Sequence, residues 1–317
     1  MSAKLHITSF PTWARLGILA VLTALAALLP YAGLQEYTLS ILTLGLFFAV
    51  YAMNWDLLFG YAGEANFGAT FLIGTGAYTA ALMSSNGVAT PLVCVAAGAG
   101  AAVVAGALLA FPALRLRGPY FGLVTLVAVL IMRQLIILFS DKTGGEIGIA
   151  VPDVISIDSA TNFHIALGAA AITAAILHLL VRSPFGLILE AIGQDPVNAQ
   201  VQGFNIVKYK LAAFCVSAFF SGLAGALMVF YLGTASTNVF VDGAVGVQII
   251  IAAIIGGRRT IFGPILGAIF MVAASEYLRP LGGPLSEMSV AVLALVVLFF
   301  LPGGLLGLVT IFRRRAA

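Results

Sequence analysis

SPFGLILEAIGQDPVNAQVQGFNIVKYKLAAFCVSAFFSGLAGALMVFYL, Ser183–Leu232, joins two unlike kinds of chain. From Leu211 to Leu232 no residue is charged, and at about 1.5 Å of helical rise per residue the run can cross a hydrocarbon layer of about 30 Å. Ser183 to Lys210 is the opposite: the only long, partly polar segment on the side that charge counting makes cytoplasmic. Within it, Ser183-Pro184 and Asp195-Pro196 each put an N-cap oxygen before a proline whose missing N–H costs nothing at the first helical position. Gly193 and Gly203 fall where left-handed residues end such helices. Two short capped helices outside the membrane, in a chain otherwise apolar, predict a docking surface. An ordinary interhelical loop with tidy turns is the alternative.

The rest of the chain is more apolar still. Of its 317 residues 62% are hydrophobic and 9% charged, with a mean hydropathy of +1.12, against roughly 25% charge in a soluble domain. Candidate spans cover about 13–30, 37–59, 67–84, 91–112, 120–139, 163–181, 211–232, 240–256, 261–278 and 289–310. This pattern predicts an all-α, polytopic integral membrane protein of about ten transmembrane helices, or eight if 67–84 and 240–256 are re-entrant or broken. The first apolar run follows Lys4 and Arg15 and lacks a small-residue cleavage motif. It is therefore expected to stay as a first helix. Cys94 and Cys215 lie inside apolar runs, where a thiol behaves as a small hydrophobe.

Charge fixes the expected orientation. With the N-terminus inside, Lys4, Arg15, Arg115, Arg117, Arg182, Lys208, Lys210, Arg258, Arg259, Arg313, Arg314 and Arg315 all fall on the cytoplasmic side. Only Lys142 and Arg279 fall outside, and Arg133 lies within a span. Under the positive-inside rule both termini are cytoplasmic and the span number is even. Gly98, Ala102, Gly106 and Ala110 recur at four-residue spacing, as do Ser217, Ser221 and Gly225, a device that lets helix backbones approach in lipid. Phe67-Gly68 and Phe262-Gly263 each open a span, and Phe111-Pro112 and Leu301-Pro302 end the spans that follow. Matching order and orientation would fit a parallel internal repeat.

Several chemistries are missing. The only Lys-Thr, Lys142-Thr143, follows Asp141 rather than a glycine-rich loop, so this chain holds no phosphate-binding loop and any ATP hydrolysis comes from elsewhere. His6, His164 and His178 are scattered without metal-ligand spacing, and no nucleophile motif such as Gly-x-Ser-x-Gly occurs. Carboxylates lie almost wholly at span ends or in loops, with Asp56 and Asp242 nearest a span interior. That scarcity weakens the case for a proton- or sodium-coupled carrier, which would be the alternative function.

Segments spread in order over most of the chain resemble the permease subunits of bacterial branched-chain amino acid ABC importers. GYAGEANFGATFLIGTGAYTAAL, Gly60–Leu82, looks like the family's glycine-rich stretch, and RLRGPYFGLVTL, Arg115–Leu126, is similar to its basic turn and the span it leads into. Thr143-Gly144-Gly145 with Gly148 resembles the outer Thr-Gly-Gly loop, and Ser183–Phe214 the cytoplasmic loop. Ser221–Leu227, Gly256-Gly257 with Phe262-Gly263-Pro264, and Leu301-Pro302-Gly303-Gly304-Leu305 complete the order. Two departures stand out. The family often has Gly-His where this chain has Gly68-Ala69, and Gly-Gly-Leu-Gly where it has Gly256-Gly257-Arg258-Arg259.

The resemblance implies a single permease domain over 1–317, with 183–210 as its cytoplasmic coupling loop, in the bacterial inner membrane and surrounded by lipid. Partners would be two cytosolic ATP-binding subunits, a second homologous permease subunit forming a heterodimer, and a periplasmic solute-binding protein, with no nucleic acid. No cofactor is expected in this chain, ATP being bound by the partner subunits, and no catalysis. The coupling contact would comprise Pro184, Gly186, Glu190, Gly193, Asp195, Pro196, Ala199 and Gly203, the last two at the spacing of a degenerate Glu-Ala-Ala…Gly element. The translocation path would be lined by Asn66, Gly68, Thr70, Gly74, Thr75, Gly76 and Tyr78, unless these serve only helix packing. Thr143, Gly144 and Gly145 would contact the binding protein or gate the outer mouth, unless they form only a tight turn. The substrate would be a branched-chain or related amino acid; amides, urea and aromatic compounds remain open alternatives.

Overall fold

A computed structural model describes residues 12–116, 119–300 and 304–305. Lys4, His6, Arg117, Leu301-Pro302-Gly303 and Arg313–Arg315 lie outside the described residues. The helices are α1 (Thr12–Ala27), α2 (Glu36–Asp56), α3 (Ala69–Ser85), α4 (Pro91–Ala113), α5 (Tyr120–Leu138) and a single turn, α6 (Ser140–Thr143). A two-residue strand β1 (Ile149–Ala150) leads to α7 (Ser159–Arg182), α8 (Pro184–Gln194), α9 (Pro196–Val201) and α10 (Ile206–Leu232). Then come β2 (Thr234–Ala235), the turn α11 (Thr237–Phe240), α12 (Gly243–Gly256), α13 (Gly263–Leu278) and α14 (Gly283–Phe300).

Among the described residues six stretches are long and apolar enough to cross a membrane: Glu36–Tyr61, Pro91–Ala113, Tyr120–Leu138, Ser159–Arg182, Ile206–Leu232 and Thr237–Gly256. The protein is therefore an all-α polytopic membrane protein. The helices α1, α3, α13 and α14 run 16 to 18 residues, a little short of a full span.

Polar contacts gather at two ends of the bundle. At one, β1 pairs antiparallel with β2, Ser84 at the close of α3 donates to Asp153 over 2.8 Å, and Tyr37 at the start of α2 donates to Glu276 near the end of α13 over 3.0 Å. At the other, Lys210 on α10 pairs with Glu64 and the turn after α12 holds Asp56 at the end of α2. Chain direction follows: α2 runs from the strand end to the loop-helix end, and α10 runs back.

The two most enclosed helices, α2 and α10, exchange partners. α10 packs on α3 and α4, while α2 packs on α13 and α12, with α7 along its outer side. The expected parallel repeat would make α2 pack on α3 as α12 packs on α13, but α2 scarcely touches α3. Matching α2, α3, α4 to α10, α12, α13 instead pairs helices of opposite sense, as in inverted-topology repeats. Small residues permit the close approach. Gly76, Gly98 and Gly222 meet where α3, α4 and α10 cross, and Gly98, Ala102, Gly106 and Ala110 are all buried. Dispersion between tightly packed backbones, not a hydrophobic difference from lipid, holds such a crossing. Between α2 and α10, Ser217 donates to the Asn54 carbonyl over 3.3 Å.

The two loop helices form where expected, with two corrections. Asp195 caps α9, accepting from the Asn198 N–H at 3.0 Å. Ser183 does not cap α8: its hydroxyl donates to the Leu180 carbonyl at 2.6 Å, closing the end of α7 instead. Gly203 is left-handed, φ +91°, and ends α9 in a Schellman pattern, with Gly203 N–H to Gln200 O at 3.0 Å and Phe204 N–H to Ala199 O at 3.1 Å. Gly193 ends nothing. It lies inside α8 with ordinary helical backbone, and its lack of a side chain serves a tertiary contact described below. No heavy atom lies within 4 Å of a Cβ added to Gly203, so Gly203→Ala is expected to cost only the backbone strain, about 1 kcal/mol. Thermal denaturation of the purified variant in detergent should register a drop of a few degrees.

Candidate functional site

The helix α3 has two faces. Leu72, Ile73 and Gly76 point to α4 and α10, where Cβ positions of Gly106, Gly225 and Gly98 come up against them. Phe71, Thr75, Tyr78, Thr79 and Leu82 line an apolar cleft of about 340 Å³ whose other wall is Ala128, Ile131, Met132 and Leu135 of α5. Farther round, Gly74 lies against Phe240 and Val241, and a Cβ on Gly246 of α12 would meet Thr70 and Phe67. Helical spacing brings Thr70, Gly74, Thr75 and Tyr78 onto neighbouring rows of one side.

Hydrogen bonding along this side is incomplete. Thr75 bonds back to the Phe71 carbonyl at 2.7 Å, but the Thr70 hydroxyl and the Tyr78 hydroxyl are enclosed and have no partner among the described residues. The Thr237 hydroxyl, on the α11 turn that packs against α3, is in the same state. Unpaired buried hydroxyls are costly unless something else supplies the bond. Three such groups on or beside α3 each have a hydrogen bond to offer to a polar solute or water. Nothing in the sequence distinguishes Thr237, one threonine among many at a span end.

The other expected path residues go elsewhere. Asn66 builds the entry to α3: its side-chain oxygen accepts from Gly68 N–H at 2.8 Å and its carbonyl from the Trp55 indole at 2.7 Å. Gly68 lies against the Thr125 backbone, and Gly76 is spent in the three-helix crossing. Thr143, Gly144 and Gly145 form a turn in which the Thr143 hydroxyl donates to Ile136 O at 2.5 Å and accepts from Gly145 N–H at 3.3 Å. Gly144, Gly145 and Gly148 are all left-handed. The turn delivers β1 to β2, so it pins the end of α5 to the link that precedes α11. Arg133, half-buried on α5, pairs with no described residue.

At the loop-helix end the sequence concealed most of the wiring. The first turn past α2, Leu57–Tyr61, is π-helical, and the chain then stays irregular through Gly68. Helix α8 lies on this break. A Cβ on Gly193 would overlap the Tyr61 carbonyl oxygen, and one on Gly63 would come within 3.0 Å of Gly193. Gly186 similarly lets α8 fold back over Val181 at the end of α7. Gly186, Leu189 and Ile192 are the buried row of α8, and Ala199 is the buried residue of α9. Pro184, Asp195, Pro196 and Gly203 are exposed. So are three apolar side chains, Leu187, Val197 and Val201, at 62%, 67% and 81%. Three large apolar side chains thus face outward from two short helices.

The break is held a second time by Lys210–Glu64, with side chains only 11% and 16% exposed. Neither residue stands out in the sequence except as a charge near a span end. Asp56 is fully enclosed, and both its oxygens accept backbone N–H bonds, from Arg259 at 3.0 Å and Thr260 at 3.3 Å. Asp242 caps α12 through Ala244 N–H at 2.7 Å. The two carboxylates nearest membrane depth are thus both engaged by backbone.

Residues 37–301 match the model of a family described as branched-chain amino acid transport system permease component. The high-affinity branched-chain amino acid transport system permease protein LivM of Escherichia coli K12 is 28% identical over 317 residues, covering 91% of this chain and 74% of that one. A probable branched-chain amino acid transport permease protein LivM of Methanocaldococcus jannaschii is 24% identical over 84% of this chain and 92% of its own. The ribose import permease protein RbsC of Haemophilus influenzae is 29% identical over 98 residues, 30% of each chain. No solved structure matches.

Proposed function

This chain belongs to the family of branched-chain amino acid transport system permease components, and from that premise we propose that it forms half of the translocation pathway of an ABC importer for branched-chain or related amino acids. It is a multi-pass membrane permease and not an enzyme. Energy comes from separate ATP-binding subunits, two of them in this reading, with a second homologous permease subunit completing the path and a periplasmic solute-binding protein delivering the substrate.

The observation that carries the reading is the exposure of Leu187, Val197 and Val201 on α8 and α9, with the other side of α8 resting on the irregular lead-in to α3. The ATPase docks on the exposed side, and its closure moves the lead-in. Arg115, Arg182, Lys208, Lys210, Arg258 and Arg259 cluster toward this end, while Lys142 and Arg279 lie toward the other. This supports a cytoplasmic loop-helix end, both termini inside, and ten crossings in which α1, α3, α13 and α14 also span. The path runs beside α3, where Thr70, Thr75, Tyr78 and Thr237 offer hydroxyls to a zwitterion as it passes, and Gly74 lets α3 close against Phe240 and Val241 at the end of α11. Alternating access arises as ATP binding and hydrolysis rock α8 against the break at 62–68. The Thr143–Gly145 turn, tied through β1 to the link before α11, is the outer counterpart.

Leu187→Asp and Val201→Asp test this. Each adds a charge to a surface position without touching the core, so the protein should accumulate normally. ATP-dependent uptake into proteoliposomes of the whole transporter should fall about tenfold, as for a lost interface anchor. Wild-type uptake in both variants, with matched protein, would remove α8 and α9 as the docking site.

A further inference from the structure

The turn between α12 and α13 is strained, and its strain is centred on a side chain that reaches the loop helices. Arg259 and Ile261 both have positive φ, +61° and +50°, a conformation rare for any L residue and rarer for a β-branched one. Alternating backbone of this kind turns successive N–H groups to one side and makes a cradle for an anion. Here the cradle closes on the Asp56 carboxylate through the N–H groups of Arg259 and Thr260. Backbone held in so sparse a region persists only where its surroundings over-determine it, and such places favour switches.

The Arg259 side chain leaves this turn in two directions. Its Nε–H donates to the Gly60 carbonyl at 2.6 Å, within the π-helical turn at the end of α2. Its guanidinium then lies 4.0 Å from the Glu190 carboxylate on α8, both side chains about two-fifths exposed at 43% and 38%. One end of the arginine is fixed and the other is a weak, solvent-screened attachment that can break and remake. Its neighbour Arg258 lies over the Phe59 ring, 4.2 Å from its centroid, and so is already occupied. Arginine suits this role because its fork can serve two acceptors at once.

We propose that Arg259 is a positioning residue that ties α8 to the α12–α13 turn, so that movement of α8 is passed to α13 as well as to α3. Contact at Gly193 pushes on the lead-in to α3; Arg259 pulls on the lead-in to α13. One helix thereby addresses both halves of the bundle. The inference rests on α8 being the helix that an ATPase moves.

Uptake and ATP hydrolysis are to be measured together in proteoliposomes of the complete transporter. Arg259→Gly keeps the left-handed backbone and removes the tie, and uptake per ATP hydrolysed should fall about fivefold, the loss expected of one hydrogen bond of about 1 kcal/mol. Glu190→Gln should lower the ratio about twofold, as for an exposed pair, and should add nothing in the Arg259→Gly background. Arg259→Lys should restore the part of the ratio that high salt abolishes in the wild type. Because Glu190→Gln changes only the surface, it decides the matter if Arg259→Gly fails to accumulate. A wild-type ratio in either single variant, or losses that add in the double, would overturn the tie. Failure of the importer reading is distinguishable, since it would show as wild-type uptake that does not need ATP.

Discussion

Lys210→Met is expected to destabilise the purified protein by about 3 kcal/mol, the scale on which a mostly buried ion pair loses one partner. The cost does not come from the lost attraction alone. Glu64 would be left without its cation in a site where its side chain is only 16% exposed, with no second cation within bonding distance among the described residues. Glu64 sits in the irregular segment between the π-helical turn and α3, so the stranded carboxylate can reach water only by pulling that segment outward. Loss of the folded peak on heating, followed by size-exclusion chromatography in detergent, should show a lower midpoint for Lys210→Met than for wild type. The double variant Lys210→Met with Glu64→Leu should recover most of the loss, because an apolar pair of similar volume needs no desolvation. Equal damage in single and double variants would mean that packing of the lysine stem, not the charge pair, holds the segment.

How far the sequence foretold these contacts depended on whether their cause was local. The loop helices start at Pro184 and Pro196 because Ser-Pro and Asp-Pro fix backbone geometry with no help from elsewhere. Gly203 was readable for the same reason. The six long membrane-spanning stretches among the described residues followed from apolar length, but helix ends did not. Helix α7 starts at Ser159 rather than 163 because Asp158 caps it, accepting from Thr161 N–H at 2.9 Å, and the Thr161 hydroxyl with that N–H holds the Asp158 carboxyl below its ordinary range. Helix α10 starts at Ile206, capped by Asn205, which draws Lys208 and Lys210 into the helix instead of the loop. Polarity marked the water boundary there, whereas hydrogen bonding sets the helix boundary.

What remained hidden was tertiary. Gly76 and Thr75 are neighbours in one motif, yet one is consumed by a three-helix crossing and the other faces the cleft. Only the packing of α10 decides which. Arg259 read as a charge on the cytoplasmic side. Its positive φ is one that glycine, which the family often has at that position, adopts without strain, so the departure is a point about φ as well as charge. The sharing of α8 between Tyr61–Gly63 and Glu190–Arg259 needs three distant segments to meet, and no spacing within any of them announces it.

Gly193→Ala should reduce uptake more than tenfold while the protein still reaches the membrane and binds its ATPase. Alanine is a better helix former than glycine by about 1 kcal/mol, so α8 itself should be more stable, and the exposed side chains of Leu187, Val197 and Val201 are unaltered. The added methyl, however, cannot coexist with the Tyr61 carbonyl. Neither side can yield cheaply, since the obstacle is backbone on both sides, and an atom that overlaps backbone forces whole elements apart. Helix α8 would therefore ride higher on the break before α3, at the point where its displacement has to be felt. The expected signature is ATP hydrolysis that continues with little uptake. Gly203→Ala provides the contrast, because a Cβ there meets nothing and the cost stays within α9. If the two alanine variants behaved alike, the loop would act through its helical form alone, and the contact between Gly193 and Tyr61–Gly63 would carry no force.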